Sequence, residues 1–120
     1  MKEEKEILNE FGKLVTNKVF DNQYRFVLND INDLVQTEGY ENLFNGMNEV
    51  KKKELEFYTR EILKGAIFDF FNLFDETPTY KIIYEEDERQ VDLNKISEML
   101  KAEPIIENGW IQRFSKFSKE

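Results

Sequence analysis

The chain has 120 residues, 35% of them charged, with 25 acids against 17 bases for a net charge of −8; one domain of this length buries about two-thirds of its unfolded surface. It contains neither cysteine nor histidine, which removes disulfides, thiolate nucleophiles, Cys- or His-ligated metals, histidine general bases and Ser-His-Asp triads. The acidic balance disfavours nucleic acid and anionic membranes as partners.

The charged start, Met1-Lys-Glu-Glu-Lys-Glu, is not followed by the apolar run of a secretory signal. No stretch approaches the roughly 20 apolar residues of a membrane span, so a cytoplasmic location is expected. From Glu3 to about Lys18, Ile7, Leu8, Phe11, Leu14 and Val15 recur at helical spacing. Gly12 lies inside this pattern at a cost of up to ~1 kcal/mol relative to Ala. Phe20, Tyr24, Val27, Leu28, Ile31, Leu34 and Val35 continue at steps of three and four. Asp21 stands where an N-cap would restart a helix over about Asn22 to Gln36. Neither Pro nor Gly separates the two segments, so one long helix is the alternative, and residues 16 to 22 decide between them.

Thr37 to Met47 carries Gly39, Asn42, Asn45 and Gly46 as turn residues. Its three large apolar side chains, Tyr40, Leu43 and Phe44, predict a connection that packs down on the core. A long helix then spans about Asn48 to Glu76. Leu55, Ile62, Leu63, Ala66, Ile67, Phe70, Phe71, Leu73 and Phe74 fill a stripe roughly half its circumference wide. That width predicts a central helix, and the second row Phe57, Glu61, Lys64 and Phe68 predicts neighbours on two faces. Lys51-Lys-Lys53 near its start reads as a solvated face.

Thr77-Pro78 stops this helix, because Pro cannot continue it and holds the preceding residue extended. Tyr80-Lys-Ile-Ile-Tyr84 is rich in β-branched and aromatic residues and predicts a strand. Glu85 to Arg89 reads as an acidic turn, with Gln90-Val-Asp-Leu93 returning as a short partner strand. Asp92 or Asn94 caps a short helix with Ile96, Met99 and Leu100 on its inner face, and Pro104 ends it. Asn108-Gly109 marks a turn before a last helix with Trp110, Ile111, Phe114 and Phe117 on one stripe. The expected fold is therefore a mostly helical α+β domain over residues 1–120: a helical bundle around a long central helix with a small antiparallel hairpin.

Asp, Glu, Lys and Tyr remain as acid–base groups. Glu61, Asp69 and Asp75 would have to converge for a carboxylate-based, Mg-dependent hydrolase, whereas Asp69 falls opposite the main apolar stripe. Calcium-loop and phosphate-loop patterns are missing, and Ser97, Ser115 and Ser118 sit in no nucleophile elbow. No catalytic residue, cofactor or metal is therefore assigned.

Charge placement says more. Residues 75 to 92 hold seven acids against two bases, a local balance of −5. Asp75, Glu76, Glu85, Glu86, Asp87 and Glu88 with the bordering Tyr84 form the candidate site for a basic protein partner, since such a patch raises on-rates and aromatics beside charge anchor interfaces. Phe57 and the off-stripe Phe68 are the candidate surface for a structural or regulatory homo-oligomer, Phe68 being alternatively covered by the C-terminal Trp110/Phe114 helix.

The run Phe68-Asp-Phe-Phe-Asn-Leu-Phe-Asp-Glu76, followed by a strand and a closing Trp-containing helix, resembles small immunity proteins of bacterial polymorphic-toxin and contact-dependent inhibition systems. The resemblance covers roughly Tyr58 to Phe117 through the order of elements and the D-F-F-x-L-F-D texture of Asp69 to Asp75; Glu76 stands where a Gly is expected. It implies a protein that binds one cognate toxin and blocks it without cofactor or turnover, its acidic patch facing a basic nuclease surface.

Overall fold

The computed structural model describes residues 1–40 and 42–117, so Ser118 lies outside the described residues. A single helical path runs from Glu4 to Asn29: α1 (Glu4–Val15), a π turn (Thr16–Phe20) and α2 (Asp21–Asn29) follow without a break. Of the two arrangements open at residues 16 to 22, the continuous one is adopted. The buried positions Ile7, Gly12, Thr16, Phe20 and Tyr24 step by four or five residues, more than the 3.6 of an α-helix. An unbroken α-helix would turn this stripe off the core, and the wider π turn takes up the excess.

Asp21 is consequently not the N-cap of a restarted helix. It is buried within the continuous path, and its carboxylate accepts hydrogen bonds from Ser115 Oγ (2.6 Å) and the Lys116 backbone N–H (3.0 Å). The path ends at Asp30, whose φ of −109° and ψ of 16° are not helical, and α3 (Ile31–Val35) is a separate short helix.

The connection from Thr37 to Met47 corrects the expectation that it packs down. Tyr40 and Leu43 are exposed, and Tyr40 stacks on Phe44 at 6.3 Å. These apolar side chains meet each other because the chain between α3 and the next helix turns out over solvent, helped by positive φ at Gly39 and Gly46.

The long helix is α4 (Glu49–Glu76), with Asn48 as N-cap accepting from the Lys51 backbone N–H at 2.9 Å. Its 28 residues span about 42 Å, most of the molecule's 54 Å length. Thr77 ends it with φ −129° and ψ 77°, the extended geometry that Pro78 requires.

Helix α4 lies antiparallel to the α1–α2 path. Phe11 is 6.0 Å from Phe71 at one end, and the Arg60 guanidinium lies over Phe20 (5.6 Å) and Tyr24 (5.8 Å) towards the other. One face of this helical pair is covered by the described residues after Pro78. An antiparallel hairpin, β1 (Ile83–Glu86) and β2 (Arg89–Asp92), pairs Ile83 with Asp92 and Glu86 with Arg89. The strand thus begins three residues later than its β-branched run predicts, and Glu85 and Glu86 belong to it. Only Asp87 and Glu88 make the turn, both with positive φ (52° and 66°), the two-residue geometry that usually selects Asn-Gly.

Asp92 caps α5 (Leu93–Ile96) by accepting from the Asn94 N–H. That helix is shorter than expected: Met99 is exposed, and Leu100 is buried in a separate 3-10 turn (Leu100–Ala102). The last helix, α6 (Trp110–Phe114), places Trp110 against Phe11 (5.7 Å) and Phe71 (6.0 Å), edge-on to both. Gly12 is explained here. A Cβ at this position would lie 2.5 Å from three atoms of the Trp110 indole, so the glycine that weakens α1 makes room for the ring. Ile7, Phe20, Tyr24, Phe71, Leu93, Leu100, Trp110 and Ile111 close the core on this side.

Candidate functional site

The antiparallel course of α1 and α4 brings the start of α1, and the hairpin held against it, to the end where α4 exits. Lys2 organises this end. Its ammonium pairs with Glu10 (2.9 Å) and Glu86 (3.8 Å) and lies over the Tyr84 ring (5.6 Å), while Arg89 donates to the Lys2 carbonyl (2.6 Å). The hydrogen bond to Glu10, helped by the carboxylate charges around it, holds the Lys2 ammonium well above its usual pKa. Its bond to Glu86 raises the Tyr84 phenol in the same direction.

Several proposed site residues therefore already have intramolecular partners. Glu85 accepts from Gln90 (2.6 Å), Glu86 pairs with Lys2, Asp75 pairs with Lys101 (3.6 Å), and Glu76 accepts from Asn72. Asp87 and Glu88 stand exposed at the hairpin tip. Tyr84 is half-buried beneath Lys2, and the exposed tyrosine at this end is Tyr80. Asp75, Glu76, Glu85 and Glu86 are thus each held by a side-chain partner, and the hairpin tip is open.

The second surface lies along α4. Of the broad stripe, only Ile67 and Phe71 are buried. Ile62 is 50% exposed, Phe70 56% and Leu73 52%, and across the neighbouring helix Leu14 is 57% exposed. The stripe that marks α4 as the central helix is therefore only partly covered: Ile62, Ala66, Phe70 and Leu73 are exposed. Between the two helices runs a groove of about 290 Å³ lined by Phe11, Val15, Val19, Leu63, Ala66 and Phe70 among others, all apolar.

Phe68, read as an oligomer surface, is half-buried on the opposite side, beneath the Lys101 ammonium (5.4 Å) and beside Ile105. Its covering comes from the 3-10 turn and the chain after it, so it is not a free surface. Phe57 is exposed, near Lys53 and Arg60. Helical periodicity could have located the open face, because the stripe exceeds what one neighbouring layer covers.

Glu61 pairs with Lys64 (3.4 Å) and Asp75 with Lys101, and the described residues contain no group of three or more acids placed to hold a metal ion. Among the described residues no helix is long and apolar enough to cross a membrane. The chain matches no protein-family model, no curated protein and no solved structure at a significant level.

Proposed function

We propose that this protein is a non-enzymatic binding protein of the immunity type, which engages a basic partner protein through the acidic end formed by Asp75, Glu76 and the hairpin acids Glu85 to Glu88. The observation that carries this reading is the rigidity of that end. Lys2, Gln90 and Lys101 hold Glu86, Glu85 and Asp75 in place, and Arg89 ties the hairpin to the Lys2 carbonyl, so little side-chain entropy is left to lose on docking. The Asp87–Glu88 tip presents two unspent charges for steering a basic surface. Tyr80, exposed beside this end, supplies an aromatic contact of the kind that anchors interfaces.

Glu61, Asp69 and Asp75 do not gather into a metal-binding group among the described residues, which favours this reading over a carboxylate hydrolase. Co-expression with any basic protein encoded by a neighbouring gene tests the proposal. A complex should form and suppress that protein's toxicity. Replacing Glu85, Asp87 and Glu88 by their amides should slow association by about 10-fold at low salt. No complex, or a complex indifferent to these changes and to ionic strength, overturns it.

A further inference from the structure

The open face of α4 is too large and too well ordered in its charges to be incidental. Ile62, Phe70, Leu73, Leu14 and Val19, each about half exposed, with the exposed Tyr58 present on the order of 600 Å² of apolar surface. That is the upper end of what a monomer shows, and close to the about 800 Å² per partner of a standard interface. No described element covers it.

Three charges lie along this face, with the exposed Glu54 at its edge. At 100° per residue, Lys51 falls on the same side of α4 as Tyr58, Ile62, Asp69, Leu73 and Glu76, so Asp69 lies at the edge of the apolar stripe, which corrects its expected place opposite that stripe. Lys51 lies at the N-terminal end, and the two acids lie towards the C-terminal end. Neither Lys51 nor Asp69 has an ion-pair partner among the described residues. A helix with this polarity is complementary to itself when reversed.

We propose that the occupant of this face is a second copy of the chain, and that two α4 helices pair antiparallel about a two-fold axis beside residues 62 to 66. Lys51 then meets Glu76 of the second copy at both ends. Leu55 packs on the second copy's Leu73, and the Tyr58 hydroxyl reaches its Asp69 carboxylate. Gly65 and Ala66, exposed near the axis, let the backbones approach; a Cβ at Gly65 would meet nothing within 4 Å in the isolated chain. The α1–α4 groove of each copy joins the interface, so two helical pairs make an antiparallel four-helix arrangement with one closed, isologous interface. Asp75 and the hairpin acids Glu85 to Glu88 fall at opposite poles and remain free, whereas Glu76 is taken into the pairing. The pairing stands independently of the immunity-type reading.

Sedimentation equilibrium of the purified full chain tests it. The expected mass is twice the 14.5 kDa chain. Ile62→Glu, at an exposed site that leaves the fold intact by circular dichroism, should weaken self-association at least about 100-fold. Lys51→Glu and Glu76→Lys should each weaken it about 10-fold, and the double charge swap should return it to within about threefold of the native value. A monomer at about 100 µM, where even a micromolar interface is assembled, overturns the proposal, including the case in which the face serves a different protein's helix. A dimer indifferent to Ile62→Glu, or a double swap that fails to restore association, overturns the antiparallel α4 pairing.

Discussion

The two faces of the α1–α4 pair have nearly the same composition and opposite fates. On the closed face Trp110 meets Phe11 and Phe71 edge-to-face, those two rings tilt against each other, and Leu93, Leu100 and Ile111 complete the seal. On the open face Leu14, Val19, Ile62, Phe70 and Leu73 are about half exposed. The difference teaches that hydrophobic periodicity measures how much surface a helix wants covered. It does not say whether the cover is in the same chain. Among the described residues beyond α4, one short hairpin and three short helical pieces seal one side and leave the other open.

Substitutions on the two faces should therefore differ sharply. Trp110→Ala removes the largest buried side chain, opens a cavity between Phe11 and Phe71, and should cost about 3–5 kcal/mol in urea unfolding. Ile62→Ser on the open face should stay within about 0.5 kcal/mol at dilutions where any assembly has dissociated. Equal losses would mean that the open face is packed in solution. Next in size is Asp21. Asp21→Ala leaves Ser115 Oγ–H and the Lys116 N–H without their buried acceptor and should cost about 2–3 kcal/mol. Asp21→Asn should recover only part of that, because an amide nitrogen cannot accept from the Lys116 N–H. If both substitutions were silent, the link between the π turn and the C-terminal segment would contribute nothing to the seal. Gly12→Ala is the smaller probe. Alanine is the better helix former by about 1 kcal/mol, yet its methyl overlaps the Trp110 ring, so a net loss of about 1–2 kcal/mol is expected. A gain in thermal stability would show that the indole can shift freely.

Much of the closed face was legible from residue order. The central helix and its Asn48 and Pro78 boundaries, the hairpin, and the inward Trp110 all derive from spacing and turn chemistry. What was not legible depended on contacts distant in sequence. Asp21 looks like a cap because Asp often is one, and only Ser115 and Lys116, more than ninety residues on, make it a buried acceptor. Tyr40 and Leu43 look like core because they are apolar, but nothing in their own spacing reveals that the turn holds them away from α4. Phe68 falls off the stripe, and its cover comes from Lys101 and Ile105 rather than from the last helix. At the acidic end the charge cluster was plain in the sequence, whereas its organiser, Lys2, lies at the far end of the chain.

That organiser supplies the smallest expected effect, and one that separates polar from apolar cover. Both Lys2 and Tyr84 hold their protons more tightly in the folded chain than they would unfolded. Below about pH 10 both groups are protonated in either state and the clasp is intact. As pH rises above about 10 the unfolded chain releases these protons first, so the unfolded state binds fewer protons and stability falls with pH. Because the clasp is solvent-exposed, the loss should be slight, and the Trp110 side of the core should not share it. The measurement is the phenolate absorbance of the native chain minus that of Tyr84→Phe, taken through the alkaline range, which isolates one tyrosine from the other four. Tyr84 should ionise above the ordinary tyrosine range, and Lys2→Met, which removes the ammonium beside Tyr84 and Glu86, should raise its pKa further, since the Lys2 charge opposes the Glu86 effect. If Tyr84 instead titrated as an ordinary tyrosine in the native chain, the hairpin would not be held against the start of α1 in solution, and the preorganisation argued for the acidic end would fail with it.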